Sequence, residues 1–192
     1  MQTKQRQYTS AEYLALEEVA AFRSEYRDGD IVPMTGGSLN HNRIAGNVFA
    51  FLKFMLRKTE THPYIGDLRL WIPEYRQHTY PDVLAIQGSP ILEAGRTDTV
   101  LNPCLIVEVL SKSTQNYDRA DKFRYYRSIP ALQEYVLIDQ YAIGIEHYMR
   151  AEGASWLFRS YESAAEKITF ASVNVEMSVE EIYENVSFAE TA

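Results

Sequence analysis

Cys104-Leu105-Ile106-Val107-Glu108-Val109-Leu110 is the stretch on which the reading of this chain turns. It is apolar at both sets of alternating positions, the pattern of a central strand covered on both faces, and it carries a single acid, Glu108. Burying an ionised carboxylate is costly unless it is paired, holds a metal or takes up a proton. An ion pair with an arginine or hydrogen bonds to the backbone would satisfy that requirement, but a metal or acid–base role is favoured. Upstream, Pro81-Asp82 precedes Val83-Leu84-Ala85-Ile86, so Asp82 stands near the start of a strand that runs into the core. By itself a Pro-Asp dipeptide reads as a turn. Beside Glu108 on an adjacent strand it reads as half of a carboxylate pair.

Two carboxylates on neighbouring strands repel each other, and both can stay ionised when a hard divalent cation lies between them. Mg²⁺ suits such a place, because it is usually held by one or two carboxylates plus substrate phosphate. The expected cofactor is therefore Mg²⁺ or Mn²⁺. No zinc-type spacing competes, since His41, His62, His78 and His147 are scattered and Cys104 is alone. Metal-assisted hydrolysis also gains from a cation near the attacking water. Lys112, four residues after Glu108, and Lys122, within Asp118-Arg119-Ala120-Asp121-Lys122-Phe123-Arg124-Tyr125-Tyr126-Arg127, are the candidates. Either would otherwise be a solvated surface lysine.

The pattern around these residues predicts an α/β fold. A helix is expected over about 10–21, opened by the capping-box spacing of Thr9 and Glu12. Ser24 to Pro33 reads as a strand, an Asp28-Gly29 turn and a second strand. A second helix is predicted over about 40–58, where Ile44, Val48, Phe51, Leu52 and Met55 recur at helical spacing. Strands follow at about 64–72, 79–86 and 104–110, then a helix over 118–128 that stops before Pro130, and a strand at 134–139. Further strands near 143–149 and 155–161 extend the sheet, and Ser178 with Glu181 opens a short C-terminal helix. From Asn40 the order is helix, three strands, helix, strand: a mixed sheet with helices on its faces.

At 192 residues the chain is the size of one domain, 1–192, with its core over about 40–140. A net charge of −7 argues against a protein whose main task is to hold nucleic acid by charge. The charge is unevenly spread, however. From Glu152 onward there are eight acids and two bases, which leaves 18 acids against 17 bases in residues 1–151. The body is near neutral, which is compatible with an enzyme that touches DNA briefly with a metal's help. No run approaches the ~20 apolar residues needed to span a bilayer, and the start, Met1 to Gln7, is polar. A cytoplasmic protein with no membrane partner is expected.

Pro81-Asp82 followed 26 residues later by Glu108, on an α-β-β-β-α-β order, resembles the PD-(D/E)XK restriction-endonuclease superfamily. More narrowly, the chain resembles a large family of small bacterial proteins described as restriction-type endonucleases. The resemblance is carried by Glu25-Tyr26-Arg27-Asp28-Gly29-Asp30-Ile31-Val32, His41, Pro81-Asp82-Val83, Glu108-Val109-Leu110-Ser111-Lys112-Ser113-Thr114, Asp118 with Lys122, and Glu134-Tyr135-Val136-Leu137-Ile138-Asp139. The superfamily's signature lysine stands two residues after the acid, where this chain has Leu110. The resemblance then implies that Lys122 supplies it from the following helix, with Lys112 as the fallback. It further implies Asp82 and Glu108 as metal ligands, the Val109 carbonyl as a third, and Lys122 orienting water or stabilising charge. Glu25 would reach in from the hairpin to a water on the metal; its alternative is a surface charge. His41 is read as a phosphate contact or a helix cap, the cap preferred. Arg119, Arg124 and Arg127 with Tyr117, Tyr125 and Tyr126 are candidates for a groove wall, the tyrosines equally for packing.

The implied activity is Mg²⁺-dependent hydrolysis of DNA phosphodiester bonds by an endonuclease that holds DNA transiently. A homodimer is expected, because nicks on opposite strands need two sites. Against this stands a catalytically silent nuclease-fold module for protein or nucleic-acid binding. The acidic composition favours the module; Asp82, Glu108 and Lys122 disfavour it.

Overall fold

The computed structural model describes residues 6–188; Met1 to Gln5 of the polar start and the last four residues lie outside them. Thr9 and Glu12 close a reciprocal capping box that opens α1 (Ser10–Glu17). This helix ends about four residues before its predicted end. Glu17 is drawn instead to the Ser24 N–H (3.0 Å) and the Tyr80 hydroxyl (3.0 Å), and Val19 and Phe22 beyond it are exposed. β1 (Ser24–Arg27) and β2 (Asp30–Pro33) form the predicted hairpin. Its turn residues Asp28 and Gly29 both have positive φ, as tight hairpin turns require. Ser38 caps α2 (Leu39–Leu56), which buries Ile44, Val48, Leu52 and Leu56.

The next region departs from the sequence reading. The two strands expected at 64–72 and 79–86 are four: β3 (Thr61–Ile65), β4 (Arg69–Ile72), β5 (Gln77–Thr79) and β6 (Val83–Gln87). β3 pairs with β6, and β4 with β5, so one long hairpin bends in the middle and passes from one sheet into another. On one arm the bend is at Gly66, which has a φ of 63° and whose N–H reaches the Asp82 carbonyl at 3.0 Å. On the other arm it is at Pro81, which has no N–H to continue a ladder. Asp82 therefore sits at a crease between two sheets.

β7 (Thr99–Val100) completes a five-stranded sheet of order β2-β1-β5-β4-β7. β8 (Leu105–Leu110), β9 (Glu134–Asp139), β10 (Ile145–Arg150) and β11 (Trp156–Tyr161) join β6 and β3 in a six-stranded sheet of order β11-β10-β9-β8-β6-β3. β8 and β9 run parallel. The helix between them starts earlier than predicted. It consists of α3 (Gln115–Tyr117), a π-helical turn at Asp118–Lys122, and α4 (Phe123–Tyr126). β12 (Lys167–Phe170) and β13 (Val175–Ser178), a small hairpin that the sequence reading missed, precede α5 (Val179–Ile182), opened by Ser178 and Glu181 as expected.

The six-stranded sheet is covered on both faces, and the alternation along β8 shows how. Leu105, Val107 and Val109 join Ile44, Val48 and Leu52 of α2, with Ile168, Met177 and Ile182 behind them. Ile106 and Leu110 join Tyr126, Ile129 and Leu132 on the other face, where Leu70 and Ile72 of the five-stranded sheet close the core. The architecture is the mixed α/β class expected, with its strands divided among sheets of five, six and two. No helix among the described residues is long and apolar enough to cross a membrane.

Candidate active site

The antiparallel register of β6 and β8 pairs Val83 with Val107. One step further, Asp82 comes opposite Glu108, on the sheet face that carries Leu84, Ile106 and Tyr126. Both acids line one cleft of about 490 Å³, together with Glu25, Arg27, His41, Val109, Tyr117, Asp118, Lys122 and Gln140. Glu25 arrives from β1 in the other sheet, and Lys122 from the π-turn. The cleft thus lies along the seam between the two sheets, roofed by the segment from Val32 to Ser38.

Glu108 is only 4% exposed. Its Oε1 accepts from the Lys122 ammonium (2.9 Å) and the Tyr126 hydroxyl (2.6 Å). Burial pushes its carboxyl up, Lys122 opposes, and Asp82 and Asp118 add to the rise; the result is a pKa of about 8. Lys122 stands among three carboxylates: Glu108 at 2.9 Å, Asp118 at 3.3 Å and Glu25 at 3.5 Å. Burial alone would lower its pKa, but Glu108 and the other acidic groups around it hold it well above a free lysine. It is a fixed cation. The π-turn and the helix after it present Lys122 and Tyr126, four residues apart, to Glu108, while Asp118, four residues earlier, meets the Lys122 ammonium.

Asp82 Oδ2 accepts from the Val109 N–H (2.7 Å) and lies 3.2 Å from His41 Nε2. Burial lowers the His41 pKa, but the Asp82 contact outweighs it and the imidazole titrates above its usual value. Glu25 is buried, and it accepts from Arg27 at 3.0 and 2.6 Å and from Thr79. Burial would raise its pKa; Lys122 and Arg27 bring it below the usual carboxylate value. The Arg27 guanidinium lies 3.7 Å over the Tyr117 ring, at the cleft wall.

The structure brings Glu25, Asp82, Glu108, Val109 and Lys122 to one place. What it shows engaged at Val109 is the N–H. Lys112 is exposed, outside the cleft lining, with its ammonium 5.3 Å over the Tyr141 ring. The preferred cap reading of His41 is corrected: Ser38 is the cap and receives the His41 N–H (3.1 Å), which leaves the imidazole free to meet Asp82. The groove-wall arginines are also corrected. Arg119 pairs with Glu146 (2.7 Å), Arg124 with Asp121 (3.4 Å), and Arg127 packs over Phe123; the arginine that lines the cleft is Arg27. Gln140, buried and donating to the Leu110 carbonyl (2.7 Å), had no sequence signal beyond its place at the end of β9. Tyr126 had one, its four-residue spacing from Lys122.

Asp82 and Glu108 are the side chains that could hold a divalent cation. Among the described residues no donor engages Asp82 Oδ1 or Glu108 Oε2, while the other oxygen of each acid is doubly engaged. No group of three or more His, Cys, Asp or Glu side chains among the described residues is arranged to hold a metal, so these two oxygens would carry the protein's share of side-chain coordination. Mg²⁺ tolerates so few protein ligands because it retains waters and takes up substrate phosphate.

The chain is 39% identical over 167 residues to an uncharacterized protein of Synechocystis sp., covering 87% of this chain and 94% of that protein. A second uncharacterized Synechocystis protein is 34% identical over 177 residues, covering 92% of each. The fold is similar to the crystal structure of "a putative nuclease belonging to DUF820" from Anabaena variabilis. The TM-score there is 0.75 at 16% identity, over 92% of this chain and 97% of that one. Residues 10–180 match the model of the Uma2 family, described as "Putative restriction endonuclease", and the chain belongs to that family.

Proposed function

We propose that this protein is a divalent-cation-dependent endonuclease that hydrolyses DNA phosphodiester bonds. The observation that carries the reading is the cleft itself. Two acids paired across antiparallel strands line it, each with one oxygen that no donor among the described residues engages, beside Lys122 held among Glu108, Asp118 and Glu25. Asp82 and Glu108 would hold Mg²⁺ or Mn²⁺, which would supply polarisation of a phosphate and a lowered pKa of a bound water.

The remaining work falls to the chain's own residues. Lys122 places a permanent positive charge where negative charge grows on the attacked phosphate. Because its proton is held so tightly, it orients water and stabilises charge and does not act as a base. Glu25, ionised by its neighbours, fixes the far side of the Lys122 ammonium, while Thr79 and Arg27 hold its two oxygens in place. Arg27, flattened on Tyr117, offers a guanidinium to a flanking phosphate of the strand. DNA contact is brief, given the acidic chain, and a homodimer supplies a second site for the opposite strand.

The test is nicking of supercoiled plasmid with Mg²⁺ or Mn²⁺ present and after EDTA. Cleavage that needs the cation and is lost in Asp82→Ala and Lys122→Ala supports the reading. Cleavage that survives EDTA, or no cleavage of any DNA substrate by the intact protein, rejects it.

A further inference from the structure

We infer that His41 is a positioning residue: its imidazole locks Asp82 with Oδ1 toward the cleft, and residue 37 is glycine so that the ring can stand there. The inference rests on the reading of Asp82 as a cation ligand, and it adds a part of the machinery outside the acids and the lysine. Three observations meet at this point. The first is the contact, His41 Nε2 to Asp82 Oδ2 at 3.2 Å, with the ring half-buried in the cleft wall. The second is the delivery of the ring. The His41 N–H is fixed by Ser38 in the first turn of α2, so the side chain has no capping task and leaves the helix toward Asp82.

The third observation is Gly37. A Cβ built there would lie 2.8 Å from His41 Nδ1 and 3.1 Å from its Cγ, too close for the ring to keep its place. The Gly37 backbone is outside the left-handed region that calls for glycine, so conformational freedom does not explain the residue. Room for the imidazole does.

The contact needs a proton on Nε2, which both the Nε2–H tautomer and the imidazolium supply, so it does not depend on the ring's charge. Asp82 itself is half-buried at the mouth of the cleft, and its second donor is the Val109 N–H. One donor leaves a carboxylate free to swing about its last torsion; two donors on a single oxygen fix which oxygen faces the cation. Outer donors of this kind typically account for 10- to 100-fold in metal affinity.

The experiment is a Mn²⁺ titration of the full chain without DNA, by calorimetry or by the electron-spin resonance of free Mn²⁺. The Kd should rise about tenfold or more in His41→Ala. It should rise similarly in Gly37→Ala, which displaces the ring without removing any polar side chain. The double variant should be no worse than His41→Ala, because both changes remove one interaction. His41→Gln, with an amide N–H that can reach the same oxygen, should recover part of the loss. Thermal unfolding of Gly37→Ala in EDTA should match the wild type, which separates positioning from folding. Unchanged Mn²⁺ affinity in His41→Ala or in Gly37→Ala overturns the inference alone. No Mn²⁺ binding by the wild type overturns the cation reading of Asp82 and the inference with it.

Discussion

Glu108 and Glu134 stand on adjacent parallel strands, β8 and β9, and are almost equally sealed from solvent, at 4% and 2% exposure. Their surroundings are opposite in kind. Glu134 is saturated: Oε1 accepts from His147 Nε2 (2.9 Å) and the Ala171 N–H (3.0 Å), and Oε2 from the Ser172 N–H (2.8 Å) and hydroxyl. Burial would raise its pKa, but the His147 and Ser172 hydrogen bonds carry it below the ordinary value. It ties the segment before β13 to the sheet. Glu108 has one oxygen filled and one unfilled, and its pKa is raised. Burial therefore does not separate the acid of the proposed site from the structural one; an oxygen that no donor among the described residues engages does.

The contrast is exposed first by activity. Glu108→Gln should cut plasmid nicking by on the order of 10³-fold, about 4 kcal/mol in the barrier, while Glu134→Gln should keep its rate per folded molecule. Appreciable nicking by Glu108→Gln would break the contrast. Stability should reverse the ranking. In urea, Glu134→Ala should lose about 3–5 kcal/mol, since it strands buried donors, whereas Glu108→Gln at neutral pH without cation should lose no stability, because it removes a carboxyl whose ionised form burial disfavours.

A cation should touch only one of the two. Mg²⁺ at a hundred times its Kd should stabilise the wild type by about 2.7 kcal/mol in thermal or urea unfolding. Glu134→Gln should keep that gain, and Asp82→Ala should lose it.

The pH dependence has opposite signs at the two acids. The raised folded-state pKa of Glu108 gives a contribution that is full below pH 4.5 and is lost as pH rises through about 8, in the absence of cation. The lowered value of Glu134 gives one present above pH 4.5 and lost as pH falls below it. Neither slope can exceed about 1.4 kcal/mol per pH unit. Unfolding of each Gln variant against the wild type in EDTA, at pH 4, 6 and 8, separates them. The smallest effect is expected at Lys112→Ala, within about 0.5 kcal/mol in stability and with nicking unchanged, because its ammonium lies outside the cleft.

Local signals in the sequence were sufficient for the capped helices, the 24–33 hairpin and the β8 and β9 strands. In each, the pattern and its cause lie within a few residues of one another. The bent hairpin was not legible in this way. Residues 64–72 and 79–86 each keep a strand-like pattern through the bend, and nothing in a pattern says that Leu70 and Tyr64 belong to different sheets. The β12–β13 hairpin was overlooked although Ile168, Phe170, Val175 and Met177 alternate with polar residues as in half-buried strands, because each run is only four residues long. At the cleft, Asp82 and Glu108 stood out because an acid in an apolar setting is costly wherever it occurs. Gln140 did not, because a glutamine is unremarkable at a strand end, and for His41 the cap reading was preferred over contact with the site. Their importance lies in partners that only the fold supplies.

The π-helical turn at Asp118–Lys122 bears on how relatives of this chain should be compared. Such a turn holds one residue more than an α-helical turn would, so a cousin lacking that residue would swing its amine roughly a quarter-turn away from Glu108. A fixed count from acid to lysine is then a poor search key. What ancestry must preserve is the direction in which the basic side chain is aimed.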